Sequence, residues 1–246
     1  MPEKQPPDSP ALVSRQMKTE KISEFTISRL SVYLRCLNLL AASGVTTTSS
    51  QALAQQFQLN SAQIRKDLTY FGEFGVRGVG YNVGELRRHL SKILGLDVIH
   101  RVGIVGAGNL GMALANYRGF DPRHFQVAAM FDRDLSRVGD TSRSGVFVYH
   151  AKDLKPIVAR ENIRIGVICV PADEAQEVAD ILVDAGITAI LNFAPVRLST
   201  EPGVKLKNMD LAISFESLSY FITKPALTQA DASKFVPDSA DEILSD

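Results

Sequence analysis

Three glycines followed by a carboxylate carry the most specific chemistry in this sequence. In "RVGIVGAGNLGMALANYRGF", residues 101–120, the pattern Gly106-x-Gly108-x-x-Gly111 follows an apolar run and opens a helical one. Glycines at this spacing serve a pyrophosphate: Gly106 permits a tight turn, Gly108 lets the backbone approach the phosphates, and Gly111 lets helix and strand close on each other. The stretch Gly106, Ala107, Gly108, Asn109, Leu110 and Gly111 is therefore the expected nucleotide cradle. Asp132 lies 21 residues beyond Gly111, at the end of the next apolar run. A carboxylate there accepts from the ribose hydroxyls of NAD(H) and repels a 2′-phosphate, which favours NAD(H) over NADP(H). Arg133 beside it pulls the other way, since a guanidinium could serve that phosphate.

A hydride-transfer enzyme would also need an acid or base near the substrate carbonyl. The four histidines, His89, His100, His124 and His150, fall at a helix or at strand ends and read as surface residues. Tyr220-x-x-x-Lys224 has the spacing of the short-chain dehydrogenases, but GxGxxG is not their glycine pattern and Lys224 precedes Pro225. Cys36 and Cys169 sit in apolar runs without a CxxC or Cys/His cluster, so neither a disulfide framework nor a metal site is expected. Cys169, beside the expected nicotinamide position, leaves thiol oxidation as a second, weaker redox reading. The dinucleotide domain thus reads as a sensor rather than a catalyst, with an NAD-dependent oxidoreductase as the alternative.

The elements that position these residues follow from periodicity. From Arg101 onward, apolar runs at 102–105, 125–131, 163–170 and 187–193 alternate with helical patterns at 109–117, 151–160 and 173–185. That order predicts a doubly wound, mostly parallel α/β sheet over residues 98–212. Ahead of it, "SRLSVYLRCLNLLAASG" (28–44) has helical spacing and ends at a glycine. "TTTSSQALAQQFQLN" offers a capped short helix, and "SAQIRKDLTYFG" (61–72) a third, with Ile64, Leu68 and Phe71 as its apolar stripe. "EFGVRGVGYNV" (73–83) suits a hairpin, so residues 18–92 are expected to form a winged helix, with the boundary near 92–98.

Charge separates the halves. Residues 18–92 carry ten Lys/Arg against five Asp/Glu, whereas 93–246 carry fifteen against twenty, although the whole chain is neutral. A basic winged helix implies duplex DNA as partner. On its third helix Ser61, Gln63, Arg65, Lys66 and Tyr70 lie off the apolar stripe. Arg65 and Lys66 suit guanine edges or phosphate, and Gln63 suits adenine. Asp67 is expected to pair within the domain, and Arg77 at the hairpin tip to enter a minor groove. No apolar run approaches the ~20 residues of a membrane span, and no apolar leader is present, so the chain reads as cytoplasmic.

The blocks "SRLSVYLRCL", "IRKDLTYFGEFGVRGVGYNV", "VGAGNLGMALANYRGF" and "ILNFAPVRL" resemble the Rex family of redox-sensing transcriptional repressors across residues 26–224. The resemblance implies a homodimer on an inverted-repeat operator that releases DNA when NADH binds, with NADH and NAD+ as regulatory ligands. It also implies a C-terminal helix, here 213–224, exchanged between subunits, and a polar pair, Tyr117 and Asp210, that changes partners between the two states. Residues 1–17 and 225–246 read as a disordered extension and an acidic tail, and neither matches the family's pattern.

Overall fold

The first helix forms because "EFTISRLSVYLRCLNLLAA" repeats its apolar residues at three-and-four spacing, and Ser23 caps it by accepting from the Thr26 amide at 3.2 Å. In the computed structural model, which describes residues 22–76 and 78–223, this helix α1 spans Glu24–Ala42 and buries Leu30, Tyr33, Leu34, Leu37 and Leu40. It begins four residues before position 28, where the apolar pattern starts, because Ser23 supplies the cap. Strand β1 (Thr47–Thr48), helix α2 (Ser50–Phe57, capped by Ser49) and helix α3 (Ser61–Thr69, capped by Asn60) follow. The Asn60 side chain accepts from the amides of Ala62 and Gln63 at 2.9 and 3.0 Å.

Helix α3 stops at Thr69 rather than at Gly72. Its last turn tightens through Tyr70 N–H to Asp67 O and Phe71 N–H to Leu68 O before Gly72 turns at φ +146°. Strands β2 (Gly75–Val76) and β3 (Gly80–Asn82) pair antiparallel as the wing, and β3 also pairs with β1, giving the order β1-β3-β2. Gly80 is required there, since its φ is +97° and a Cβ would collide with the Thr48 carbonyl. Helix α4 (Val83–Ile93) leads out of this unit, which runs to Leu90; a second unit begins at Ser91.

The second unit is one six-stranded parallel sheet: β4 (His100–Val105), β5 (Phe125–Asp132), β6 (Val148–His150), β7 (Ile165–Ile168), β8 (Ala189–Asn192) and β9 (Lys205–Asn208). The order β6-β5-β4-β7-β8-β9 puts the first strand at the centre and reverses direction between β4 and β7. That is the dinucleotide-binding arrangement of a doubly wound fold. Helices α5 (Asn109–Ala115), α6 (Leu154–Arg160, preceded by a 3-10 turn at Ala151–Asp153) and α7 (Ala172–Asp184) supply the crossovers.

Both sheet faces are buried. On one, Val105, Phe131 and Ile168 pack with Leu154, Ile157, Ala179 and Leu182. On the other, Ile104, Met130 and Val167 pack with Ala107, Ala115 and Val148. Strand β9, absent from the sequence reading, extends the sheet to a half-exposed edge where Lys205 and Lys207 point outward. Helix α8 (Leu211–Thr223) starts two residues before the expected 213 and buries no residue; Phe215 and Ile222 are 72% and 78% exposed. The expected wing-tip residue Arg77, Lys224 and both termini lie outside the described residues.

Candidate nucleotide site and nucleic-acid interface

The direction change between β4 and β7 opens a crevice at the carboxyl ends of those strands, where α/β sheets hold ligands. A cleft of about 580 Å³ occupies it, lined by Val105, Gly106 and Gly108 on one side and by Cys169, Val170 and Pro171 on the other. The glycine loop is built as its spacing requires. Gly106 has φ +99°, and a Cβ on it would lie 2.6 Å from the Cys169 carbonyl oxygen. A Cβ on Gly111 would strike the Gly106 carbonyl, so only glycine lets α5 start this close to β4. Over Gly108 the space is open except for Arg137, whose Nη1 would be 3.3 Å from an added Cβ. Gly106, Ala107 and Gly111 are buried, while Asn109 and Leu110 face solvent.

Asp132 ends β5 beside this loop. Its Oδ2 accepts from the Ala107 amide at 2.7 Å and its Oδ1 from the Asp134 amide at 2.9 Å. The carboxylate expected to face a ribose is thus first a brace for the glycine loop, and the second acceptor direction on each oxygen is what a ribose hydroxyl could use. Arg133 is paired with Glu174 Oε1, 2.5 Å away, at the first turn of α7. Asn192, fully buried at the end of β8, organises "NFAPV": its amide donates to the Ala194 and Val196 carbonyls and to Asn208 Oδ1 at 3.0–3.1 Å. Burial pushes the Cys169 thiol up to about 12, which keeps it protonated and removes the thiolate that an oxidation sensor needs.

The histidines correct their reading as surface residues. Only His89 is exposed. His100 Nε2 bonds the Gly95 carbonyl at 2.7 Å and its ring stacks on Phe125, while His150 Nδ1 accepts from the Lys152 amide at 3.0 Å. His124 is half-buried, 3.7 Å from the Asp121 carboxylate. None of the four lines the cleft.

In the first unit the centre of the candidate interface is a buried acid. Asp67, with no exposed surface, accepts from Arg29 Nε and Nη2 at 2.7 and 2.8 Å, from the Tyr33 hydroxyl at 2.9 Å and from Gln63 Nε2 at 2.7 Å. Burial would raise its pKa, but the bonds from Arg29, Gln63 and Tyr33 together outweigh burial and hold it below the usual carboxylate range. Asp67 thus pairs inside the unit. Gln63, expected to suit adenine, also joins this cluster through one N–H of its amide. The cluster also contains two residues that the sequence did not mark as functional, Arg29 and Tyr33; the Tyr33 ring is buried on the apolar face of α1. The one available signal was an aspartate in an otherwise cationic helix.

The remaining expected contacts lie on the outer face of α3. Lys66 is exposed and Tyr70 is 47% exposed. Arg65 is exposed too, with Nη1 donating to Ser50 Oγ at 3.0 Å, a bond that ties α3 to α2 and orients the guanidinium. Ser61, the first residue of α3, is half-buried. Arg65, Ser50, Gly75 and Tyr81 line a hollow of about 500 Å³ between α3 and the wing. In the second unit Tyr117 stands 58% exposed, edge-on to Phe120. Asp210 Oδ1 accepts from the Ala212 amide at 2.8 Å, capping α8.

Among the described residues no cluster of three potential metal ligands occurs, and no helix is long and apolar enough to cross a membrane. Residues 21–69 match a family model described as "Putative DNA-binding protein N-terminus", and residues 97–196 one described as "CoA binding domain". The chain is 50% identical over 204 residues to the redox-sensing transcriptional repressor Rex of Desulfitobacterium hafniense, a match covering 83% of this chain and 97% of that protein. It is 43% identical over 229 residues to Rex of Streptomyces avermitilis, covering 93% and 90%. Among solved structures, RSP in complex with β-NAD+ and operator DNA gives a TM-score of 0.79 at 41% identity, covering 84% of this chain and 94% of that one. RSP in complex with β-NADH gives 0.75 at 40% identity, covering 84% and 97%. With a winged helix and a dinucleotide-binding sheet in one chain, and relatives this similar along nearly their whole length, the protein belongs to the Rex family of redox-sensing transcriptional repressors.

Proposed function

We propose that this chain represses transcription by binding an inverted-repeat operator as a homodimer and leaves DNA when NADH occupies the cleft between β4 and β7. The observation that carries the reading is the pairing, in one chain, of a cationic winged helix with a glycine-lined cleft at the point where the strand order reverses, the arrangement that holds a nicotinamide dinucleotide. Acting on chromosomal DNA assigns the protein to the cytoplasm.

In the DNA-bound form Arg65 and Lys66 enter the major groove, Tyr70 and Ser61 meet the backbone, and Arg77 reaches from the wing. Two recognition helices must sit ~34–36 Å apart to enter successive major grooves. Any rotation between subunits breaks that match. Gly106 to Gly111 cradle the pyrophosphate and Asp132 holds a ribose, while "CVPAD" (169–173) and "NFAPV" (192–196) lie toward the nicotinamide. NADH favours the form in which the helices no longer match, and NAD+ shares that preference less, since a ligand shifts an equilibrium only by its difference in affinity between the states. Helix α8 exchanges between subunits, which places Asp210 of each chain where it can trade partners, Tyr117 among them.

Fluorescence anisotropy of a labelled palindromic operator tests this. NADH should release the DNA at concentrations where NAD+ does not. Arg65→Ala should weaken operator binding by about tenfold or more, the cost of one groove-directed guanidinium, and Asp132→Ala should abolish the response to NADH while DNA binding persists. Release by both nucleotides alike, or by neither, overturns the reading.

A further inference from the structure

The residue that follows Asp132 sets a specificity question that its neighbours answer. Arg133 is the more exposed of the two arginines lining the cleft, with 73% of its side chain in solvent, and it follows Asp132, the carboxylate proposed to hold the ribose. An unencumbered guanidinium at that place would receive a ribose 2′-phosphate, which is how NADP(H) is accommodated on this fold. Here its Nη2 lies 2.5 Å from Glu174 Oε1. Glu174 is in the first turn of α7, where the helix dipole favours its negative charge, and its side chain is only 20% exposed. The cleft's other arginine, Arg137, has Asp134 at 3.6 Å, and Glu177 adds a further carboxylate to the lining. Four acids therefore face two arginines in the cleft, and both arginines have a carboxylate partner.

We infer that Glu174 is a specificity-determining residue: by engaging Arg133 and adding its own charge, it denies a 2′-phosphate its receiver and makes the site selective for NADH over NADPH. Asp132 alone does not account for selectivity in a cleft where the adjacent residue is arginine. The exposed Arg133–Glu174 pair is weak in itself, but a phosphate would have to displace Glu174 and then sit beside two carboxylates, Glu174 and Asp132. This inference rests on the proposed nucleotide site.

The test is equilibrium titration of the full chain with NADH and with NADPH, followed by nucleotide fluorescence, in the unaltered protein, Glu174→Gln and Glu174→Gln/Arg133→Ala. The quantity read is the ratio of NADPH to NADH affinity. In Glu174→Gln that ratio should rise by about tenfold or more, as expected when a charge-assisted bond to phosphate becomes available. The double variant should fall back to the unaltered ratio. An unchanged ratio in Glu174→Gln, or a gain that survives loss of Arg133, overturns the inference and leaves the NADH site standing. No NADH binding by the unaltered chain removes the site and the inference with it.

Discussion

Asp67 shows how much a single side chain organises here. Its carboxylate collects four hydrogen bonds from three residues, two of them 34 and 38 positions away in sequence, and so locks α3 against α1. Because its folded pKa is depressed, the stability it contributes is present above the ordinary value of about 3.9 and is lost as pH falls through the folded one. Asp67→Asn should cost about 2 kcal/mol at neutral pH, less than the roughly 3–5 kcal/mol of a fully buried pair because Arg29 is partly solvated. The variant's denaturation midpoint should also change less than that of the parent as pH falls below about 4, the ordinary carboxylate value. Urea titrations across that range check both, and parallel pH profiles for the two proteins would exclude Asp67 as the titrating group. Residue types were readable from sequence where spacing alone defines the job, as at Gly106, Gly108 and Gly111. They were unreadable where the job is a tertiary pairing: nothing local marks Arg29 and Tyr33 as partners of Asp67, or Glu174 as the partner of Arg133.

Elements were legible in proportion to their periodicity. The helices α1, α2, α3 and α7 and the central strands follow from apolar spacing because each is buried along a defined face. Strand β9 did not, because "KLKN" is a half-exposed edge with lysines at alternate positions and has no apolar run to betray it. Likewise β1 contributes only two residues, whose strand character comes from pairing with β3. Helix α8 has thirteen residues, none buried, with Leu211, Phe215, Leu218 and Ile222 all more than half exposed. A surface of that kind in a folded monomer marks an interface. Phe215→Glu should therefore shift the protein from dimer to monomer in sedimentation velocity runs and weaken operator binding. A variant that stays dimeric would mean that α8 is not the dimer contact.

At the scale of the whole molecule the two units form a linked pair of binding equilibria. If NADH lowers operator affinity by some factor, the operator must lower NADH affinity by the same factor. Titrating NADH in the presence and absence of saturating operator measures this directly, and equal affinities in the two titrations would dissolve the coupling. DNA binding itself should fall with salt at a log–log slope near about −0.9 per phosphate neutralised. The overall division was legible because charge and periodicity change together along the chain, five net positive charges in residues 18–92 and five net negative in 93–246. The clamp on α3 bears on how this repressor can be re-engineered. A transplant of residues 61–70 into another winged helix would carry a buried acid into a scaffold without Arg29 and Tyr33, so operator preference is portable only as a two-helix cassette in which α1 travels with α3.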